Sequence, residues 1–384
     1  DENNINLNNI YVDLYEAAFL DLIQLLKHGV PSPNQNSNTN FKAYYSYSFN
    51  PLNYKKLIQK KTRLAIFVGN PVQYHIPIYK ALSLENNLDL IVMFGSQIGS
   101  KKFYSKEFES FIEWDIPLLD GYRYKFYKNL SFEATKGFFS RINIGMVYDI
   151  LKNKYDVVLI HGYDTVSSWL VFFTAKIIRA KIIWRGEASI RPKTYQSILK
   201  KFIKNTILPI YFKYCDAVLY SCNGNYKFLQ QFQIKQEKMF LIPCAVDNSF
   251  FRNARLSNQE SLLFRENLGI RKNDFIVLFS ARFTLRKRPL DLISAVNKIK
   301  NENVVLLFVG DGPERMKMEE MLENYNIKSV FTGFVGQNEL PKYYSISNMY
   351  AIVSDYDASP KSLNEALNFE LPVIVTDKVG PADD

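Results

Sequence analysis

The sequence predicts an α/β protein made of two doubly wound, parallel-sheet domains, and three observations carry that prediction. The chain has 384 residues, too many for one typical domain and enough for two. From about residue 62 onward, short apolar runs alternate with amphipathic helical stretches across short connections, a pattern that demands parallel strands joined by crossover helices. The residues able to do chemistry fall again and again just after the apolar runs, where an open parallel sheet presents its ligand sites.

Residues 1–61 do not share this rhythm and read as an N-terminal extension. Positions 1–9 are Asn-rich. In 11–27, Leu14, Ala17, Ala18, Leu22, Leu25 and Leu26 lie near one helical face, and 31–40 is a Pro/Ser/Asn-rich linker. The first domain, 62–248, opens with a strand at 64–68, the turn GNPVQYHIP, a helix at 78–84 and a strand at 88–94. Gly69 ends the first strand, where a missing Cβ lets backbone approach a ligand. The turn is not G-x-G-x-x-G, which counts against a nicotinamide dinucleotide there. Residues 99–130 interleave aromatics with Lys and Arg, and read either as a loop over a binding site or as a packed excursion. A strand at 156–160 leads into HGYDT and a helix at 166–179, and a strand at 181–184 ends in Arg185-Gly186-Glu187. His161 sits where such a sheet presents catalytic groups. Strands at 217–220 and 240–242 complete this half, and 246–269 reads as a link and a helix. The second domain, 249–384, has strands at 275–280, 304–309, 329–332, 350–353 and 373–376, alternating with helices at 290–300, 314–325, 339–345 and 360–368.

Composition narrows the function. Hydrophobic residues make up 47% of the chain, ordinary for a protein with two cores. The three cysteines (Cys215, Cys222, Cys244) match no metal-ligand spacing and suggest a reducing compartment. Three histidines are too few for a histidine metal cluster. The longest apolar stretch, 169–184, contains Lys176, Arg179 and Lys181 and does not read as a bilayer span. The formal net charge is +10, with six basic and no acidic residues in 191–213. Ile198, Leu199, Phe202 and Ile203 make that segment helically amphipathic, so it reads either as a helix with a solvated basic face or as a contact with an anionic membrane surface. Nucleic acid is not expected, because the basic residues surround no recognisable binding motif.

The most informative stretch is 350–377. After the strand and a polar loop, Ser359 suits a helix N-cap and Pro360 the first helical position. Leu363, Ala366 and Leu367 form the apolar stripe, with Lys361, Ser362 and Glu365 opposite. A helix start at the carboxyl end of a sheet attracts an anion. Asp357 and Glu365 flank this segment with seven residues between them. The pattern resembles the E-x7-E signature of retaining glycosyltransferases of the GT-B fold, in particular family 4, the glycosyl transferases group 1; Asp357 departs from it by standing where Glu is usual.

That resemblance implies two Rossmann-like domains facing across a cleft, and transfer of a sugar from a UDP- or GDP-sugar to a glycan or lipid-linked acceptor. Glu365 would hold the ribose hydroxyls, Asp357 would contact the transferred sugar, and backbone N–H groups around Ser362 and Leu363 the distal phosphate. SARFTLRKRPLDL resembles the family's phosphate-binding pair, which falls on Arg282 and Lys287. VGDGPER, with Gly310 and Gly312, matches the loop below the nucleotide; GFVGQNEL, with Phe334 and Val335, matches the loop that holds the base through backbone groups. Gly69, Asn70, Gln73, Tyr74 and His75 would flank the acceptor side, although His75 reads equally as a core or capping histidine. WRGEA, YSCNGN and IPCAVDNSFF resemble a subset of the family typical of bacterial surface-glycan synthesis. No protein nucleophile is evident, and the family implies that the leaving phosphate accepts the acceptor proton on the face of attack, with retention.

No metal or other cofactor is expected, since Arg282 and Lys287 supply the charge that a metal would; the alternative is a metal on the D-x-D of Asp355 and Asp357. Two rival readings are a GT-B sugar-nucleotide epimerase and a non-catalytic membrane- or glycan-binding relative. The expected location is cytoplasmic, peripheral on the inner face of the membrane. The family normally continues past the fifth strand of its second sheet with more sheet and a terminal helix, so Asp384 is not expected to be a natural terminus.

Overall fold

The computed structural model describes residues 61–100, 103–105, 110–112, 114–132, 137–190, 203–244 and 246–384. The helix and linker expected within 1–61 lie outside the described residues, as do Ile198, Leu199 and Phe202 of the basic segment.

In the first half, β1 (Thr62–Val68), α1 (Ile76–Leu84) and β2 (Leu88–Phe94) follow in order. A short antiparallel pair, β3 (Phe103–Ser105) with β4 (Ser110–Ile112), precedes β5 (Tyr124–Phe126). Next come α2 (Ile144–Asn153), β6 (Val157–His161), α3 (Val166–Ile177), β7 (Lys181–Arg185), α4 (Leu208–Lys213), β8 (Ala217–Tyr220), α5 (Asn223–Gln230) and β9 (Met239–Leu241). Seven strands form one sheet in the order β5-β2-β1-β6-β7-β8-β9, every pair parallel. The continuous apolar runs are explained by burial on both faces. Leu64, Ile66 and Val68 of β1 enter one core with Ile76, Tyr79 and Leu82 of α1. Ala65 and Phe67 enter the other, with Met146, Val171, Phe172 and Trp184.

The second half contains α6 (Asn248–Asn253), α7 (Asn258–Asn267), β10 (Phe275–Ser280), α8 (Pro289–Ile299), β11 (Val304–Val309), α9 (Arg315–Asn324), β12 (Lys328–Gly333), α10 (Leu340–Ile346), β13 (Met349–Ile352), α11 (Lys361–Leu367) and β14 (Val373–Val375). Its five strands run β12-β11-β10-β13-β14, again all parallel. Ile276 and Leu278 of β10 pack to one side, Val277 and Phe279 to the other. The architecture is the expected one: two parallel doubly wound sheets with helices on both faces. Within 246–269 there are two helices rather than one; a complete Ser257–Glu260 capping box opens the second.

The order of strands reverses its direction of growth once in each sheet, between β1 and β6 and between β10 and β13. Such switch points leave a crevice at the carboxyl ends of the strands. The two crevices face each other. Tyr74, just after β1, packs on the core of the second half. Asn364 of α11 donates to the Cys244 carbonyl at 2.5 Å, and Lys361 forms an ion pair with Glu187 beyond β7. Among the described residues no helix is long and apolar enough to cross a membrane.

Candidate functional site

The crevice expected to hold the donor is built on the loops after β10 and β13. Arg282 follows β10 by two residues, and Lys287 closes a short 3-10 turn, Leu285–Lys287. Gly310 and Gly312, after β11, lie directly beneath that loop. With φ of +129° and +156°, a Cβ on Gly310 would overlap the Ala281 carbonyl and one on Gly312 the Phe283 backbone. The backbone contact is made: Phe283 N–H donates to the Asp311 carbonyl at 2.9 Å. Both glycines therefore serve to hold the Arg282 loop from below.

Asp357 forms a close ion pair with Lys287 and lies 4.0 Å from Arg286. Its own carbonyl accepts from Gly380 N–H at 2.7 Å. Asp355, the other half of the D-x-D, lies 4.0 Å from Arg288. Both acids thus face cations of the 286–288 turn.

Glu365, 2% exposed, accepts from the Tyr344 hydroxyl at 2.8 Å through Oε2. Its Oε1 is buried with no hydrogen-bond partner among the described residues. Burial, opposed by the Tyr344 and Tyr74 hydroxyls, pushes its carboxyl up to about 7. Tyr74 comes from the other half of the molecule, so Glu365 sits where the two halves meet.

The helix of the 350–377 stretch differs from expectation. It starts at Lys361, with Pro360 in the extended N-cap position (φ −69°, ψ 114°) and no side-chain cap. Ser359 does not cap it; its hydroxyl points to Cys244 Sγ at 3.0 Å. Ser362 and Leu363 lie in the first turn, but Leu363 N–H already donates to the Pro360 carbonyl at 3.2 Å, which removes it as a free phosphate donor. Phe334 is 42% exposed while Val335 packs into the core of its own half. Two residues on, Gln337 N–H (3.0 Å) and Asn338 N–H (2.7 Å) donate to the Asp115 carboxylate of the first half. Gly336 has no Cβ to obstruct that carboxylate. Part of 99–130 is therefore a clasp on the loop after β12.

In the facing crevice, where the acceptor is expected, Gly69 and Asn70 follow β1. The Arg141 guanidinium fills the space a Cβ on Gly69 would need, and it donates to Asn70 Oδ1 at 3.0 Å. His75 and His161 lie with ring centroids 4.7 Å apart. Burial, then the positive charge of Arg185 and Lys361, lowers His75 to about 3. Burial, His75 and Arg185 hold His161 well below the usual histidine range. Both are neutral imidazoles near pH 7, suited to hydrogen bonding and not to taking up a proton. Beyond β7, burial would raise the Glu187 carboxyl, but the charges of Lys361 and Arg185 outweigh it and bring it to about 2.

Arg282, Lys287, Asp357, Gly310 and Gly312 thus share one crevice, with Glu365 beside it; Gly69, Asn70, His75 and His161 share the facing one. Sequence reasoning gives no role to Arg185, Glu187, Lys361, Tyr344, Arg141 or Asp115. Only Arg185 and Glu187 carry a signal, their place at a strand's carboxyl end. Of 191–213, the described part is a π-type turn, Ile203–Ile207, running into α4.

Residues 261–384 match the family model described as "Glycosyl transferases group 1". An uncharacterized glycosyltransferase of Methanocaldococcus jannaschii is 27% identical over 62% of this chain and 60% of its own length. The alpha-monoglucosyldiacylglycerol synthase of Acholeplasma laidlawii is 24% identical over 58% and 59%. The chain thus spans about 60% of the length of these curated relatives. Anabaena Alr3699/HepE, solved with UDP, superposes with a TM-score of 0.62 at 14% identity, covering 84% of this chain and 82% of that one. A glycosyltransferase from Rickettsia africae gives 0.62 at 17% identity over 85% and 82%. The chain has the GT-B fold, and its residues 261–384 match the group 1 glycosyl transferases.

Proposed function

We propose that this protein is a retaining glycosyltransferase that moves a sugar from a UDP- or GDP-sugar to a hydroxyl of a glycan or lipid-linked acceptor, at the cytoplasmic face of a bacterial membrane. The observation that carries the reading is the crevice between β10 and β13. It gathers Arg282, Lys287 and Asp357, with Glu365 beside it keeping one buried carboxylate oxygen unpartnered among the described residues. Nucleotide ribose hydroxyls are donors of the kind that this carboxylate can accept from. Lys287 and Arg282 stabilise the diphosphate as it leaves with growing negative charge.

The acceptor approaches from the side of Gly69, Asn70, His75 and His161, where neutral imidazoles orient hydroxyls. No side chain is assigned as a nucleophile; the departing phosphate takes the acceptor proton, and the protein supplies position and charge. The two cations make a metal unnecessary. Relatives named as a diacylglycerol glycolipid synthase, an undecaprenol-diphosphate-linked glycan transferase and an amylovoran biosynthesis glycosyltransferase support a glycolipid or surface-polysaccharide product. The basic segment 191–213 is the proposed contact with an anionic membrane.

The test is a thermal-shift panel of UDP, GDP, ADP and their sugars, with and without EDTA. A ligand that binds only the folded state raises the melting temperature with occupancy. A shift with one nucleotide, unchanged by EDTA, supports the reading and names the base. A shift abolished by EDTA would transfer the site to a metal on Asp355 and Asp357, and no shift would refute the donor site.

A further inference from the structure

Between the two crevices lies a second group of charges that the donor reading does not use. Arg185, the last residue of β7, is 5% exposed. Its guanidinium reaches only the Pro243 carbonyl, at 3.5 Å, and meets no carboxylate within ion-pair distance among the described residues. Lys361, from the opposite half, pairs with Glu187 and donates to the Ser359 carbonyl at 3.2 Å. Among the described residues, the one carboxylate beside these two largely enclosed cations pairs with Lys361, and the charge of Arg185 is left over. His75, which feels both cations, is neutral and keeps a buried Nδ1 without a partner among the described residues.

A buried ion pair is a weak source of stability, because desolvation consumes most of the attraction. An arrangement with a surplus cation is weaker still as a structural clasp. It is well suited to receiving an anion. The Lys361 and Glu187 side chains remain 16% and 30% accessible, so the pair can be reached from the cleft. A phosphate offers enough charge for both cations, and Arg185 a planar fork that matches its oxygens.

We propose that Arg185 and Lys361 form an anion seat between the two halves that takes a phosphate group, and that Glu187 occupies Lys361 until that phosphate displaces it. The phosphate can come from the donor's diphosphate or from a phosphate-bearing acceptor. The seat stands on its own geometry and does not require the donor reading.

The test exploits opposite signs. Binding of inorganic pyrophosphate and of UDP is measured by isothermal titration for the wild type, Glu187→Gln and Lys361→Met. Removing the internal competitor with Glu187→Gln should tighten pyrophosphate binding, and Lys361→Met should weaken it, each by about tenfold or more, the scale of one charge-assisted hydrogen bond. Lys361→Arg should restore binding, which guards against a folding defect in the methionine variant. Weakening in both Glu187→Gln and Lys361→Met, or no change in either, would overturn the proposal and leave a simple clasp. If saturating UDP abolishes the seat's pyrophosphate binding, the seat belongs to the donor; if the opposite-signed effects persist, it belongs to the acceptor. A wild type that binds pyrophosphate with these signs but binds no nucleotide would sink the donor reading and leave the seat standing.

Discussion

Glu365 offers the sharpest test of the site, because its energetics have a defined sign. Its carboxyl is raised from 4.5 to about 7 in the folded protein, first by burial. A raised acid binds its proton more tightly when folded than when unfolded. Its contribution to stability is therefore fully present below about pH 4.5 and lost as pH rises through about 7. The shift corresponds to roughly 3 kcal/mol across that window. Glu365→Gln keeps the shape and removes the titration. Relative to the wild type, the glutamine variant should gain roughly 3 kcal/mol between about pH 5 and about pH 8, read as the difference in urea unfolding of the two proteins at each pH. A ribose that donates to this carboxylate needs it ionised, so UDP affinity in the wild type should rise with pH through the same window. In the glutamine variant affinity should be lower and flat. A wild-type affinity that does not change with pH, together with parallel stability profiles, would remove Glu365 from the site and refute its raised ionisation.

Three further expectations follow from the same geometry. Lys287→Ala and Arg282→Ala should each lower turnover about a hundredfold, comparable with loss of a key oxyanion donor; unchanged transfer rates would refute their phosphate role. Gly310→Ala should destabilise by about 1–3 kcal/mol or more, since it combines a left-handed φ with overlap of the Ala281 carbonyl, and an unchanged melting curve would contradict the packing described. Asp115→Ala removes two acceptor contacts to the Gln337 and Asn338 amides. Hydrogen exchange at those amides should accelerate by at least about tenfold, and unaltered protection would show that the clasp does not form in solution.

Most of the fold can be read from the sequence because its signals are local. The strands Phe275–Ser280 and Val304–Val309 stand where the apolar runs place them, since burial on both faces makes the whole run apolar. Helix α2 goes unread: its apolar residues Ile144, Tyr148 and Leu151 are exposed while Asp149 is buried, so apolarity along it does not mark the buried face. The start of α11 is misplaced by sequence reasoning because Ser359 and Pro360 fit the local rules for a cap and a first turn. A tertiary contact decides otherwise, as Ser359 is drawn to Cys244, a residue 115 positions earlier. The same limit explains Lys361 and Glu187, which are 174 positions apart. Nothing in either neighbourhood announces a partner in the other half of the chain.

The two interior ion pairs of the cleft share a logic that follows from their placement. Lys287 is held by Asp357 and Lys361 by Glu187, so each lysine that could meet an anion already holds a carboxylate. A bare buried ammonium would be costly or would lose its proton. An internal carboxylate keeps it charged and leaves an exchange of partners, not a desolvation, as the step that binding requires. Lys287 takes one oxygen of Asp357, Oδ2. On the proposed reading, a diphosphate arriving on Lys287 would compete with that oxygen and leave the Asp357 carboxylate freer to meet the sugar. In this arrangement the shorter Asp at the first acidic position has a consequence of its own: its carboxylate lies on the cation of the 285–287 turn until the ligand's own charge draws that cation away.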